Sequence, residues 1–73
     1  MQLSQGIKNR DYIIKVIDQG KSVKLKLNSM GIYPDVTVKI VKNDGSGPLI
    51  IEVKKAKIIW GRALAEKIKV EAV

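Results

Sequence analysis

The sequence has no cysteine, no histidine and no phenylalanine, and only one tryptophan and two tyrosines in 73 residues. Without cysteine there are no disulfides, which excludes the stapled mini-proteins of oxidising compartments. Without His or Cys an ordinary zinc site is excluded, and the commonest catalytic bases and thiol nucleophiles are missing. No apolar run approaches the ~20 residues that a bilayer-spanning helix needs; Leu49-Ile50-Ile51 is typical. Met1 to Gly6 carries no apolar stretch of signal-peptide length. The chain therefore reads as soluble and cytoplasmic.

What is present is an aliphatic core set. Hydrophobic residues make up 45% of the chain, nearly all Val, Ile, Leu and Ala. A chain of this length supports one domain, residues 1–73. At ~1.5 kcal/mol of conformational entropy per ordered residue, folding has to overcome roughly 110 kcal/mol, so a small core leaves only ~3–5 kcal/mol net.

Charge is lopsided. Fourteen Lys and Arg face seven Asp and Glu, a formal net charge of +7. Such a balance suits an anionic partner, whether nucleic acid, an anionic membrane surface or an acidic protein face. The lysines are also scattered singly or in pairs, as on solvated strand faces, where they blunt sheet edges against aggregation.

Strand-like segments are Tyr12 to Ile17, rich in β-branched residues, Asp35 to Lys42, Leu49 to Lys54 and Ile68 to Val70, which alternate, and Lys57 to Trp60. In the second, Val36, Val38 and Ile40 share one face; Val41 breaks the period, as a bulge or a doubly buried residue does. In the third, Leu49, Ile51 and Val53 point inward. Asn43-Asp44-Gly45-Ser46-Gly47-Pro48 supplies the turn residues of a hairpin between these two strands.

Lys21 to Gly31 fits two patterns. Val23, Leu25 and Leu27 alternate like a strand, while Val23, Leu27 and Met30 form a helical stripe. Ser22 as an N-cap, Gly31 as a left-handed stop and Pro34 beyond it favour one short helix. Arg62 to Lys67, rich in helix formers, adds a helical turn. Short strands, one hairpin and one short helix predict a small, partly closed all-β barrel.

Catalysis has little support. Ser4, Ser22, Ser29 and Ser46 have no base near them in sequence, and the seven carboxylates are isolated rather than paired. Direct iron carriage would need those carboxylates to converge. Gly45-Ser46-Gly47 is followed by Pro48, not by the Lys-Ser/Thr of a phosphate loop. For nucleic acid, Lys39, Lys42, Lys54, Lys55 and Lys57 offer a phosphate-facing stripe. The stacking aromatics are sparse, however, and Trp60 reads as core or rim packing.

The remaining constellation is Leu27-Asn28-Ser29-Met30-Gly31-Ile32-Tyr33-Pro34, an apolar helix end running into a tight turn. On one reading Leu27, Met30 and Ile32 plug the barrel mouth. On the other, this lip carries partner contacts, with Tyr33 and Met30 as anchors.

The run Leu27-x-x-Met30-Gly31-Ile32-x-Pro34 followed by Val36-x-Val38 resembles the signature of the ferrous iron transport protein A (FeoA) family. Gly47-Pro48-Leu49-x-Ile51-x-Val53 and Ala65-x-x-Ile68-x-Val70 are similar to its later blocks, in register from about Val16 to Val70. Two positions depart from the pattern: Asp35 and Lys55 stand where the family usually has glycine, which puts local backbone geometry in question. The resemblance implies an SH3-like five-stranded barrel with a short helix between strands one and two and a helical turn near the C-terminus. It implies a non-enzymatic cytosolic accessory of bacterial ferrous iron uptake, without cofactor. Its partner would be the cytosolic, G-protein-like part of a membrane iron permease. The expected partner-binding residues are Lys24, Lys26, Leu27, Met30, Gly31, Ile32, Tyr33 and Pro34. A basic nucleic-acid-binding barrel is the alternative. The same fold occurs as the C-terminal domain of iron-dependent repressors, but this chain lacks their DNA-reading region.

Overall fold

Alternating aliphatic residues fold into strands because each needs one face out of water, and here five such faces meet around one core. A computed structural model describes all 73 residues. After a 3-10 turn at Leu3–Gln5 come β1 (Asp11–Ile17), α1 (Lys21–Ser29), β2 (Thr37–Lys42), β3 (Leu49–Val53), β4 (Ala56–Trp60), α2 (Arg62–Ala65) and β5 (Ile68–Ala72). The strands form one sheet in the order β4-β3-β2-β1-β5, and every neighbouring pair is antiparallel. This is the small five-stranded architecture expected, with a helix between the first two strands and a helical turn before the last.

The expected inward faces are the observed ones. Val38, Ile40, Leu49, Ile51 and Val53 are buried together with Ile14, Ile68 and Val70. The β2–β3 register shifts between Ile40 and Lys42, so Val41 is a bulge. A second bulge in β1, between Ile14 and Val16, turns the sheet where β1 passes from β2 to β5. Bulges raise local twist, which helps a short sheet curl around its core.

Three boundaries differ from expectation. Strand β2 starts at Thr37 rather than Asp35, because Asp35 has φ +75, outside the extended region. Ladder-like bonds still reach past it: Asp35 N–H donates to the Ile14 carbonyl at 2.7 Å and Ile14 N–H to the Val36 carbonyl at 2.9 Å. Helix α1 is capped by Gly20, not Ser22, which lies inside the first turn with no side-chain capping bond. The helix resolves the double pattern at Lys21 to Gly31: Leu27 is buried, while Leu25 points outward.

No ladder joins β4 to β5; α2 bridges them instead. The outer edge of β5 is partly covered, since Gln2 bridges to Lys69 and Val70 N–H donates to the Met1 carbonyl at 2.8 Å. The outer edge of β4 has no partner strand.

Candidate functional site

The lip after α1 owes its shape to two backbone bonds. Gly31 N–H donates to the Asn28 carbonyl at 3.0 Å and Ile32 N–H to the Leu27 carbonyl at 2.9 Å, with Gly31 at φ +83. This is a Schellman closure, and its accompanying apolar pair is Leu27 with Ile32. Both are buried, at 3% and 0% exposure. Leu27 and Ile32, expected among the partner contacts, thus lie in the core, as the plug reading has them, with Leu27 reaching the surface only as part of a groove wall. Gly31 acts through its backbone. Met30, Tyr33 and Pro34 remain exposed and hold the rim.

Lys24 and Lys26 are both exposed but do not share a face. Two positions along a helix separate them by about 200°. Lys24 borders a groove of about 210 Å³ with Lys15, Val16, Asn28 and Pro34. Lys26 borders a larger groove of about 390 Å³, walled by Val23, Leu27 and Met30 of α1, Ile59 and Trp60 of β4 and Leu64 of α2, with Gln19 at one end. Helix α1 thus stands between two grooves, and the lip closes one end of it.

The β3–β4 turn folds over this lip. The Lys54 ammonium lies 5.2 Å from the centre of the Tyr33 ring and 3.3 Å from its hydroxyl. Its stem covers Gly31, where an added Cβ would meet Lys54 Cδ at 3.7 Å. Lys54 and Lys55 have φ +50 and +71, the pair of left-handed residues that a two-residue hairpin of the I′ kind requires. Lys55 and Asp35, the two departures from the family pattern, thus both sit on left-handed backbone. The geometry that glycine would give freely is kept at a cost of roughly 1–2 kcal/mol for a lysine, less for an aspartate.

The lysines named as a phosphate stripe are interrupted. Cross-strand register sets Asp11 opposite Lys39, Lys39 opposite Glu52, and Glu52 opposite Lys57, a row of alternating sign across four strands. Lys42 pairs with Asp44 at 3.5 Å, and Lys54 is engaged with Tyr33. Tyr12 and Trp60 are buried at 2% and 3% exposure, so Trp60 is core, and neither offers a face for base stacking. No three carboxylates gather where they could hold a cation.

Two features lie outside the sequence reading. One is the larger groove's far wall: the run Ile58-Ile59-Trp60 has no alternation, so nothing marked Ile59 as the outward residue. The other is a clasp at the start of α2. Arg62 donates to the Gly47 carbonyl at 3.0 Å, the Ser4 carbonyl at 3.2 Å and Asn43 Oδ1 at 2.7 Å. Asn43 in turn donates to the carbonyls of Ser4 and Gly6. A planar guanidinium can bind three acceptors in one plane at once. It ties α2, the β2–β3 loop and the N-terminal turn together.

The FeoA domain family model matches residues 1–72. A Methanocaldococcus jannaschii protein described as "Putative Fe(2+) transport protein A" is 43% identical over 61 residues, covering 84% of this chain and 73% of the relative. The crystal structure of an iron uptake regulatory protein (FeoA) superposes with a TM-score of 0.91 at 29% identity, over 100% of this chain and 97% of that one. The manganese-activated repressor ScaR, at 22% identity, matches 100% of this chain with 35% of its own and a TM-score of 0.85, a likeness of fold alone. The SH3-like barrel is thus the shared architecture, and this chain belongs to the FeoA family.

Proposed function

We propose that this protein is a small cytoplasmic accessory of ferrous iron uptake that works by binding and not by catalysis. Its target on this reading is the cytosolic, G-protein-like part of a membrane iron permease. Family membership carries the proposal: the model match spans residues 1–72, and the 43% identical relative is described as an Fe(2+) transport protein. No helix of the chain is long and apolar enough to cross a membrane, so the transport step itself would fall to another protein.

The lip supports a binding role. Met30 and Tyr33 are 37% and 40% exposed, mounted on a turn whose backbone is fixed by the Leu27–Ile32 closure. Partly exposed Tyr and Met side chains on a fixed backbone are favoured interface anchors. Lys24, Lys26 and Lys54 surround them and would steer an acidic partner surface. The test is capture of the permease's purified cytosolic domain by the intact protein, followed by biolayer interferometry. Tyr33→Ala with Met30→Ala should weaken binding by ~2 kcal/mol or more, the scale of a hot spot. Undiminished binding by that double variant would remove the lip as the contact.

A further inference from the structure

The alternating row Asp11–Lys39–Glu52–Lys57 ends at Lys57, on the one strand whose outer edge is bare. In a two-residue hairpin, Val53 and Ala56 form a hydrogen-bonded pair, and such pairs alternate along the ladder. Ala56, Ile58 and Trp60 therefore bond back to β3, which leaves the backbone N–H and C=O of Lys57 and Ile59 facing away from the sheet. Neither residue makes a main-chain bond elsewhere in the molecule. Ile59 is also 71% exposed, an unusual apolar burden for an edge strand.

Beyond that edge lies the larger groove, with the apolar side chains of Met30, Leu64 and Trp60 on its walls and Lys26 on its rim. We infer that the outer edge of β4 accepts an extended segment of a partner protein as a sixth strand, and that this segment alternates acidic and apolar residues. A strand laid there would send alternate side chains to the two faces of the sheet. Those on the inner face enter the apolar groove. Those on the outer face continue two existing rows. One continues the charge row, where a carboxylate opposite Lys57 is the next sign in sequence. The other continues Lys42–Ile50–Ile59, so the next acidic residue of that face, two positions along, passes over Ile59 with its side-chain methylenes. The local charge agrees: the edge strand and its turn carry Lys54, Lys55 and Lys57 against Glu52, with Lys26 on the groove's rim. A second copy of this chain fits badly, because it would bring together two molecules of +7 at edges whose strand and turn carry Lys54, Lys55 and Lys57. The inference rests on the reading of this protein as a binding module and names the kind of segment it binds.

The probe is a synthetic peptide alternating glutamate and valine, with lysine–valine and glutamate–serine peptides as controls, added to the intact protein. Hydrogen exchange followed by NMR should show the Lys57 and Ile59 amides slowing by about tenfold or more with the glutamate–valine peptide alone. Ile59→Pro deletes one outward N–H, at an edge position where proline is tolerated, and should abolish that binding. Lys57→Glu, on an exposed side chain, should weaken the acidic peptide about tenfold and admit the lysine–valine peptide instead. Unchanged exchange at both amides would overturn the inference, as would a Lys57→Glu variant with the original charge preference. The permease domain separates the two readings. If it binds Lys57→Glu normally but not Tyr33→Ala, the lip stands and the edge falls. If the peptide binds and the permease domain does not, the edge stands and the functional reading falls.

Discussion

Ile32 gives its backbone N–H to the carbonyl of Leu27, 2.9 Å away, and both side chains lie in the core. That one relationship fixes where the lip stands relative to the barrel. It needs Gly31 between them at φ +83. Gly31→Ala should therefore destabilise the fold by about 1–2 kcal/mol through backbone strain. Crowding adds little, since the nearest atom to a new Cβ would be Lys54 Cδ at 3.7 Å. Urea unfolding should show a lower midpoint with an unchanged slope.

The β3–β4 turn makes the reverse prediction. Lys55 holds φ +71 without any side-chain compensation, and lysine has no special tolerance for that region. Lys55→Gly should raise stability by about 0.5–1 kcal/mol, the relief of strain exceeding the extra chain entropy of glycine. For a domain this size that is a rise of a few degrees in Tm. Lys54 should be left in place in this test, because its ammonium sits on Tyr33.

These two turns show what could be read ahead of the structure. Gly31 announced its turn because glycine after an apolar helix end has one common meaning. Val41 announced a bulge because it broke a period of two. Lys54-Lys55 announced nothing: lysine pairs are ordinary surface residues, and only the short span between Val53 and Ala56 forces the left-handed backbone. Leu27, Met30 and Ile32 read either as a plug or as a lip, since the two have the same composition; Leu27 and Ile32 are plug, and Met30 is lip. Lys24 and Lys26 looked adjacent in the chain, whereas the helix sends them to different grooves. The Arg62 clasp was out of reach, because its partners Ser4 and Asn43 lie 58 and 19 positions away.

That clasp should be intolerant of a nominally conservative change. Arg62→Lys keeps the charge but cannot serve three acceptors held in one plane. Expected loss is about 1.5–3 kcal/mol, the range for hydrogen bonds with one charged partner. Hydrogen exchange should also quicken at Gly45, whose N–H donates to Asn43 Oδ1 at 3.1 Å, and at Gly6, bonded to the Leu3 carbonyl. Unchanged exchange at both amides would mean the guanidinium is not what holds the N-terminal turn.

Gly6 makes a separate steric prediction. It is buried, and a Cβ there would stand 2.9 Å from Ile40 Cγ1 and 3.0 Å from the Leu3 carbonyl oxygen. Its φ of −65 suits any residue, so strain is not the issue; contact is. Gly6→Ala should cost about 1–3 kcal/mol by forcing apart the N-terminal turn and β2. The thermal midpoint reads this, and a neutral outcome would show that the turn can lift without loss.

The charge row gives the last test. Lys39 lies between Asp11 and Glu52 on the outer face, directly opposite each. Lys39→Glu would set three carboxylates side by side, and like charges directly opposite destabilise by about 0.2–1 kcal/mol per pair. Because these groups face solvent, salt should recover much of the loss as the screening length shrinks from ~10 Å at 0.1 M to ~3 Å at 1 M. A merely structural defect in β2 would not respond to salt. Unfolding of the variant and parent at both salt concentrations therefore separates a Coulombic row from simple strand propensity.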